Sequence, residues 1–303
     1  IVVHEFEDPD APPSSLPRSE RWESDRHPVG SGGQGQVFIQ RLQHAGTTSR
    51  PLRAVKFITL GDGTGKKVHR YRRELETNFR FSHPKYSKHF VRSLGWYLSK
   101  DSTSLCITME YLSKGDLQTY IINNPLLSED ECCEIAYQVF KGLRIMHREG
   151  FAHRDVKPAN VLIQRCPTGD APGSWWVKLT DFGISKPFEE LATGNTTLAG
   201  TPGYLAPEII RPADMWSLGV LMYRILAGRD PFLGLSDVLR YCNNHTASFP
   251  SIPLASRKIS TESQRFNIDL LHPLVAGRQR AVGHVWFERF AKRPSLTAVA
   301  PTR

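Results

Sequence analysis

His153-Arg154-Asp155-Val156-Lys157-Pro158-Ala159-Asn160 sets an acid, a cation and an amide on one short loop, just ahead of the apolar run Val161-Leu162-Ile163. Those groups can respectively orient a hydroxyl nucleophile, neutralise a phosphate and hold a divalent metal. A second loop, Asp181-Phe182-Gly183, adds a carboxylate after Trp176-Val177-Lys178-Leu179, whose apolar residues alternate as in a strand. Hard oxygen ligands of this kind suit Mg²⁺, which is commonly shared between one or two carboxylates and substrate phosphates.

With HRDxKPxN and DFG in this order, the chain resembles the eukaryotic protein kinases. Working outward, Val29-Gly30-Ser31-Gly32-Gly33-Gln34-Gly35-Gln36-Val37 contains GxGxxG, whose glycines let backbone approach phosphates and turn tightly. The same pattern marks dinucleotide folds, where a helix follows the last glycine. Here the strand-like Val37-Phe38-Ile39 follows instead, which supports the kinase alternative. Ala54-Val55-Lys56 comes next; taken alone, Lys56 reads as a strand-edge cation, and in register after the glycine loop it resembles the lysine that holds the α- and β-phosphates of ATP. Its expected partner is Glu74 on a helix predicted over 66–81, with Glu76 as the competitor that points elsewhere.

The resemblance implies an adenine slot at Met109-Glu110-Tyr111-Leu112, with Met109 as gatekeeper and the Glu110 carbonyl and Leu112 amide facing the purine between walls from Val29, Val37, Ala54 and Leu162. Gly30, Gly32 and Gly35 would lie over the phosphates. Asp116 stands where the family has a ribose acceptor, and it equally reads as the N-cap of a helix starting near Leu117. By the same resemblance Asp155 is the catalytic base, Lys157 steadies the γ-phosphate, and Asn160 and Asp181 hold Mg²⁺. Ser128-Glu129-Asp130-Glu131 opens a long amphipathic helix bearing Ile135, Val139, Leu143 and Met146, which delivers the chain to that loop. Lys157 after HRD and Gly200-Thr201-Pro202 before Ala206-Pro207-Glu208 resemble the serine/threonine type, and the motif style is similar to calcium/calmodulin-dependent and checkpoint kinases. Thr193, Thr196 and Thr197 fall in the implied activation loop. Thr197, with Thr196 as fallback, is the expected phosphosite for an upstream activating kinase, with Arg154 and Lys186 as phosphate partners. Ala159, where kinases that prefer basic substrates have Glu, weakens the case for an arginine-directed specificity.

The 303-residue length allows two sub-domains with cores, and 40% hydrophobic with 23% charged residues is ordinary globular composition. Five cysteines without CxxC spacing favour reduced thiols in a cytoplasmic or nuclear setting. No apolar run of membrane-spanning length and no signal-peptide pattern appear, so no membrane partner is expected. The net charge of +9 invites a nucleic-acid reading, but its densest cluster, Lys66, Lys67, Arg70, Arg72 and Arg73, lies on the predicted helix and reads as a solvated face. No basic surface interleaved with aromatics accompanies it, so protein substrates bearing Ser or Thr are the expected partners.

Several places depart from the family. Asn78 stands one turn past Glu74 where an apolar residue is usual, and an unpaired buried amide there would bias the helix away from its active position. Phe79 or a local shift could fill the space instead. Lys85-Tyr86-Ser87-Lys88 reads as a cheap surface insertion. Only Ile209-Ile210-Arg211-Pro212-Ala213 separates Glu208 from Asp214, a shortened approach expected to strain the bonds of Asp214 to the catalytic-loop backbone. The arginine that would pair with Glu208 is either Arg278 or Arg280.

The expectation is an α+β, two-lobed kinase fold: a tail over 1–26, an antiparallel-sheet lobe with one main helix over 27–109, a hinge over 110–114, a mainly helical lobe over 115–293 and a tail over 294–303. Its implied activity is ATP- and Mg²⁺-dependent phosphorylation of proteins. A kinase-like nucleotide-binding scaffold of weak or no activity is the alternative.

Overall fold

In the computed structural model, described for residues 1–6, 18–32, 35–43, 51–60, 65–124, 126–167, 174–182, 186–187, 212–243, 249–274 and 278, the chain divides into two units. One comprises Ile1–Pro84 with Val91–Tyr111; the other comprises Lys85–Phe90 and the chain from Leu112 onward. The passage between Tyr111 and Leu112 falls within the predicted hinge segment.

In the first unit, in chain order, are β1 (Val2–Phe6), β2 (Arg18–Ser24), β3 (Gly30–Gly32), β4 (Gly35–Gln43), β5 (Leu52–Thr59), α1 (Gly65–Phe81), β6 (Ser93–Leu98) and β7 (Ser104–Glu110). They form one antiparallel sheet in the order β1-β2-β4-β5-β7-β6, with β3 also paired to β4. β5 runs between two partners, and Arg53, Ala54, Val55 and Lys56 are all buried, so both of its faces are covered. Tyr71 and Leu75 of α1 pack on the Ile58, Leu105 and Ile107 cluster, which fixes the helix on that face of the sheet.

The first 26 residues are not simply a coreless tail. β1 and β2 extend the sheet, with Arg21 to Ser24 in register with Gln43 to Gln40 of β4. Trp22 is buried, and the Arg53 guanidinium lies 3.9 Å from its ring centroid. Arg53 is only 3% exposed; its Nε donates to Gln40 Oε1 at 2.8 Å, and Gln40 Nε2 donates to Tyr97 Oη at 3.0 Å. Burial pushes Arg53 down to about 10 and Tyr97 up to about 12. The acidic, proline-rich stretch EDPDAPPSS masked these two short strands in the composition.

The second unit contains α2 (Leu117–Asn123), α3 (Glu129–Arg148), β8 (Phe151–Ala152), β9 (Val161–Arg165), β10 (Trp176–Leu179), β11 (Lys186–Pro187), α4 (Pro212–Ala227), α5 (Leu235–Asn243), α6 (Ile252–Ser256) and α7 (Thr261–Leu270). α3 begins in a capping box between Ser128 and Glu131, has three acids in its first turn and ends with His147 and Arg148, so its charges match the helix dipole at both ends. α4 is apolar nearly all round and forms the core, with Met215, Trp216, Leu218, Val220, Leu221 and Met222 buried. A side chain at Gly219 would start 2.9 Å from Leu270, so the glycine permits the close approach of α4 and α7.

Segment 85–90 is no loose surface insertion. Tyr86 is buried and its hydroxyl lies 2.5 Å from Glu149, Trp176 Nε1 donates to the Lys88 carbonyl at 2.9 Å, and the Leu179 amide donates to the His89 carbonyl at 2.8 Å. Short polar spacing hid this anchoring, because each contact lies far away in the chain.

Trp22→Ala should lower unfolding free energy by about 3–5 kcal/mol, as removal of a buried aromatic does, in a denaturant titration. The His89 imidazole is pushed down to about 4 by burial, reinforced by Lys88 and Lys141. An unfolded histidine titrates near 6.5, so stability should be intact above that pH and decline as pH falls from about 6.5 to about 4. In His89→Phe that part of the decline should vanish.

Candidate active site

Two sets of residues converge locally, one in each unit. In the first, β3 and β4 form a hairpin with Gly30 opposite Val37 and Gly32 opposite Gly35; Gly33 and Gln34 at its tip lie outside the described residues. Gly35 has φ +127°, and a Cβ there would meet the Phe57 carbonyl oxygen at 2.1 Å, so only glycine fits. Val37 is in register with Lys56, and Ala54 with Met109, which puts Val37, Ala54, Lys56 and Met109 on one face of the sheet. Val29 is exposed, and its amide donates to the Val37 carbonyl at 2.7 Å. Lys56 Nζ meets Glu74 Oε1 at 2.7 Å with both side chains buried, while Glu76 is exposed.

Asn78 does not carry the expected penalty. Its Nδ2 donates to the Glu74 carbonyl at 2.7 Å, one turn back in the same helix, and it is only half-buried. Phe79 is 86% exposed, so it does not fill the apolar position either. A polar residue at this site satisfies its own helix, and the ion pair beside it is formed.

In the second unit the β9–β10 ladder ends with Val161 opposite Leu179, and the Thr180 amide donates to the Asn160 carbonyl at 3.1 Å. Asn160 and Asp181 therefore leave the same end of one hairpin. Asp155 is buried; its Oδ2 is 2.8 Å from Lys157 Nζ and accepts from Asn160 Nδ2 at 2.9 Å. Asn160 Nδ2 also donates to the Asp155 carbonyl at 2.8 Å, which leaves Oδ1 as the atom of this amide suited to a cation. Asp181, half-buried, has φ +64° and Arg154 has φ +71°, both in the left-handed region that non-glycine residues seldom adopt.

These backbone conformations are held from behind. Asp214, fully buried at the start of α4, accepts from the amides of His153 at 2.9 Å and Arg154 at 2.8 Å, and lies 2.7 Å from His147 Nε2. Burial alone would raise the Asp214 pKa, but its bond with His147 and the backbone donors outweigh that and hold it below the ordinary carboxylate value. The expected strain from the shortened approach is not seen at these contacts. Phe182 is buried between the rings of Phe90 and His153, with centroids 5.9 and 5.7 Å away, and His153 Nε2 reaches the Thr180 carbonyl at 3.1 Å. Burial lowers the Arg154 pKa, partly opposed by Asp214.

Asp116 caps α2, its carboxylate accepting from the Thr119 amide at 2.8 Å and hydroxyl at 2.9 Å, and it bridges to Leu162. Leu112 is buried and Glu110 half-buried, its side chain accepting from the Arg92 amide at 2.8 Å. Arg278 is buried with its guanidinium 5.4 Å from the Trp216 ring centroid. Gly183, Thr193, Thr196, Thr197, Thr201, Ala206, Pro207, Glu208 and Arg280 lie outside the described residues, as does the segment 294–303. The sequence reading missed His147 as a partner of Asp214; its only signal was a histidine in the last turn of a helix leading into the loop.

No cluster of three or more His, Cys, Asp or Glu side chains fit to hold a metal occurs among the described residues. The donor set instead fits an ion shared with a ligand: one carboxylate, Asp181, and one amide oxygen, from Asn160, leave most positions to phosphate and water, as Mg²⁺ prefers.

Residues 24–286 match the protein kinase domain family. The chain belongs to that family. The chain is 32% identical to the serine/threonine-protein kinase RAD53 of Saccharomyces cerevisiae over 84% of its own length and 32% of that protein's. It is 31% identical to the serine/threonine-protein kinase cds1 of Schizosaccharomyces pombe over 62% of its length and 42% of that protein's. It thus spans less than two thirds of these relatives. Among solved structures, the Rad53 kinase domain with SCD2 matches with a TM-score of 0.65 at 29% identity, covering 92% of this chain and 89% of that one. Rad53 1–466 in complex with AMP-PNP matches with a TM-score of 0.67 at 30% identity, covering 88% and 65%. The fold is the α+β kinase fold.

Asp214→Ala should leave two buried amides without an acceptor, at about 1–3 kcal/mol each. Chemical unfolding should show a loss of about 2–6 kcal/mol, whereas Asp214→Asn, which keeps an acceptor oxygen, should lose less.

Proposed function

We propose that this chain is an ATP-dependent serine/threonine protein kinase, transferring the terminal phosphoryl group of ATP to serine or threonine hydroxyls of proteins. The observation that carries the reading is the buried Asp155 carboxylate, fixed by Lys157 at 2.8 Å and by Asn160 at 2.9 Å. A carboxylate held this way can receive the hydrogen bond of an incoming hydroxyl, orient its oxygen for in-line attack and take its proton as the bond to phosphorus forms. Such a group contributes about 10²–10⁴ in rate. Lys157 then offers its ammonium to the transferred phosphoryl oxygens, and Lys56, braced by Glu74, to the α- and β-phosphates. Asn160 Oδ1 and Asp181 would hold Mg²⁺, which would supply neutralisation of phosphate charge. The glycine hairpin supplies close backbone approach, Val29, Val37, Ala54 and Leu162 apolar walls for adenine, Glu110 and Leu112 its backbone bonds, and Asp116 a ribose acceptor.

Preference for Ser and Thr over Tyr rests on Lys157 and on Gly200-Thr201-Pro202. Activation by an upstream kinase at Thr197, or at Thr196, is part of the proposal and rests on sequence alone. The scaffold alternative drew on Asn78 and on the approach to Asp214; the helix bond of the first and the backbone contacts of the second support the enzyme reading over it. Among the described residues no helix is long and apolar enough to cross a membrane.

Asp155→Asn should cut phosphate incorporation into a degenerate Ser/Thr peptide library by at least about 10²-fold while leaving nucleotide affinity within a few-fold. Undiminished transfer by this variant would remove the assignment.

A further inference from the structure

Glu74, Asn78 and Ser82 follow one another at four-residue steps, along one ridge of α1 and into the turn that ends it. Asn78 Nδ2 donates to the Glu74 carbonyl at 2.7 Å, and the Ser82 hydroxyl donates to the Asn78 carbonyl at 2.5 Å. That same hydroxyl accepts from the Ser93 amide at 2.8 Å, at the start of β6, where the ladder with β7 shifts register between Ser93 and Gly95. Ser93 is held in turn, its own hydroxyl donating to the Thr108 carbonyl of β7 at 3.3 Å. A line of hydrogen bonds thus runs from the sheet, through one hydroxyl, along the ridge to the residue whose carboxylate meets Lys56.

Direction is what these bonds add. Before Glu74, Tyr71 packs on the Ile58, Leu105 and Ile107 cluster and donates through its hydroxyl to the Thr59 carbonyl at 2.9 Å. After it, Asn78 is half-buried, Phe79 is exposed and Phe81 is buried. Apolar burial is non-directional, so Phe81 keeps the helix end on the sheet while leaving its turn about its own axis open. A hydrogen bond weakens steeply when misaligned, and one anchored on the ridge of Glu74 sets that turn. A serine hydroxyl has one proton to give and lone pairs to receive with, and this one does both.

We propose, resting on the reading of Lys56 and Glu74 as the pair that braces the ATP phosphates, that Ser82 is a positioning residue for phosphoryl transfer. Its hydroxyl fixes the rotation of α1 at which Glu74 faces Lys56, and a small misplacement of such a pair is costly in rate. In transfer to the peptide library by the whole chain, Ser82→Ala should lower kcat/KM for ATP about tenfold. Ser82→Thr, which keeps the hydroxyl, should recover most of that loss. In a Glu74→Gln background, where the pair is already weakened, Ser82→Ala should cost less than about twofold. A mere loss of folded enzyme would cost the same in both backgrounds. Hydrogen exchange at amides 75–81 should quicken in Ser82→Ala, a readout that needs no transfer. Where Ser82→Ala fails to fold, Ser82→Cys, close in size but with a weakly bonding thiol, should show the same loss. Equal losses in the two backgrounds, full activity without the hydroxyl, or no recovery by threonine would overturn the proposal. Undiminished transfer by Asp155→Asn would instead remove the kinase reading, whereas unchanged exchange in Ser82→Ala would remove the tether itself.

Discussion

The buried Asp214 carboxylate is the constraint on which the second unit's chemistry depends. It sits at the start of α4, a helix that is itself core, and accepts the backbone amides of His153 and Arg154. Arg154 has φ +71°, a conformation that costs an L-residue about 1–2 kcal/mol. Charge-assisted bonds to buried amides are strong enough to hold it. Only with the loop so fixed does Asp155 face Lys157 and Asn160.

A second chain of contacts carries that order to Asn160 and Asp181, the proposed metal ligands. His153 meets the Thr180 carbonyl and the Phe182 ring, Phe182 lies tilted against Phe90, and Thr180 bonds Asn160. The carboxylate of Asp181 thus emerges between residues that are each tied to the catalytic loop. The left-handed backbone at Asp181 is the local cost of that placement.

Much of this was legible because the motifs are short and local: HRDVKPAN and Asp181-Phe182 each bring their functional groups within one loop, and Lys56 with Glu74 follows a strand-then-helix spacing. What escaped reading depends on distant partners. Trp22 fell in the segment read as a tail because its cover, Arg53, lies in another strand, and Tyr86 looked like part of a surface insertion because Glu149 is supplied from far along the chain. Asn78 misled for the opposite reason: an amide can satisfy itself on its own helix, and no apolar pattern announces that.

The placement of segment 85–90 bears on how this protein can be taken apart. The chain crosses between its two units three times, after Pro84, after Phe90 and after Tyr111. Neither unit is therefore one uninterrupted stretch of polypeptide. A nick at the last crossing leaves the short excursion through Tyr86 still threaded into the other half, and a gene cut at a single codon cannot encode either piece whole.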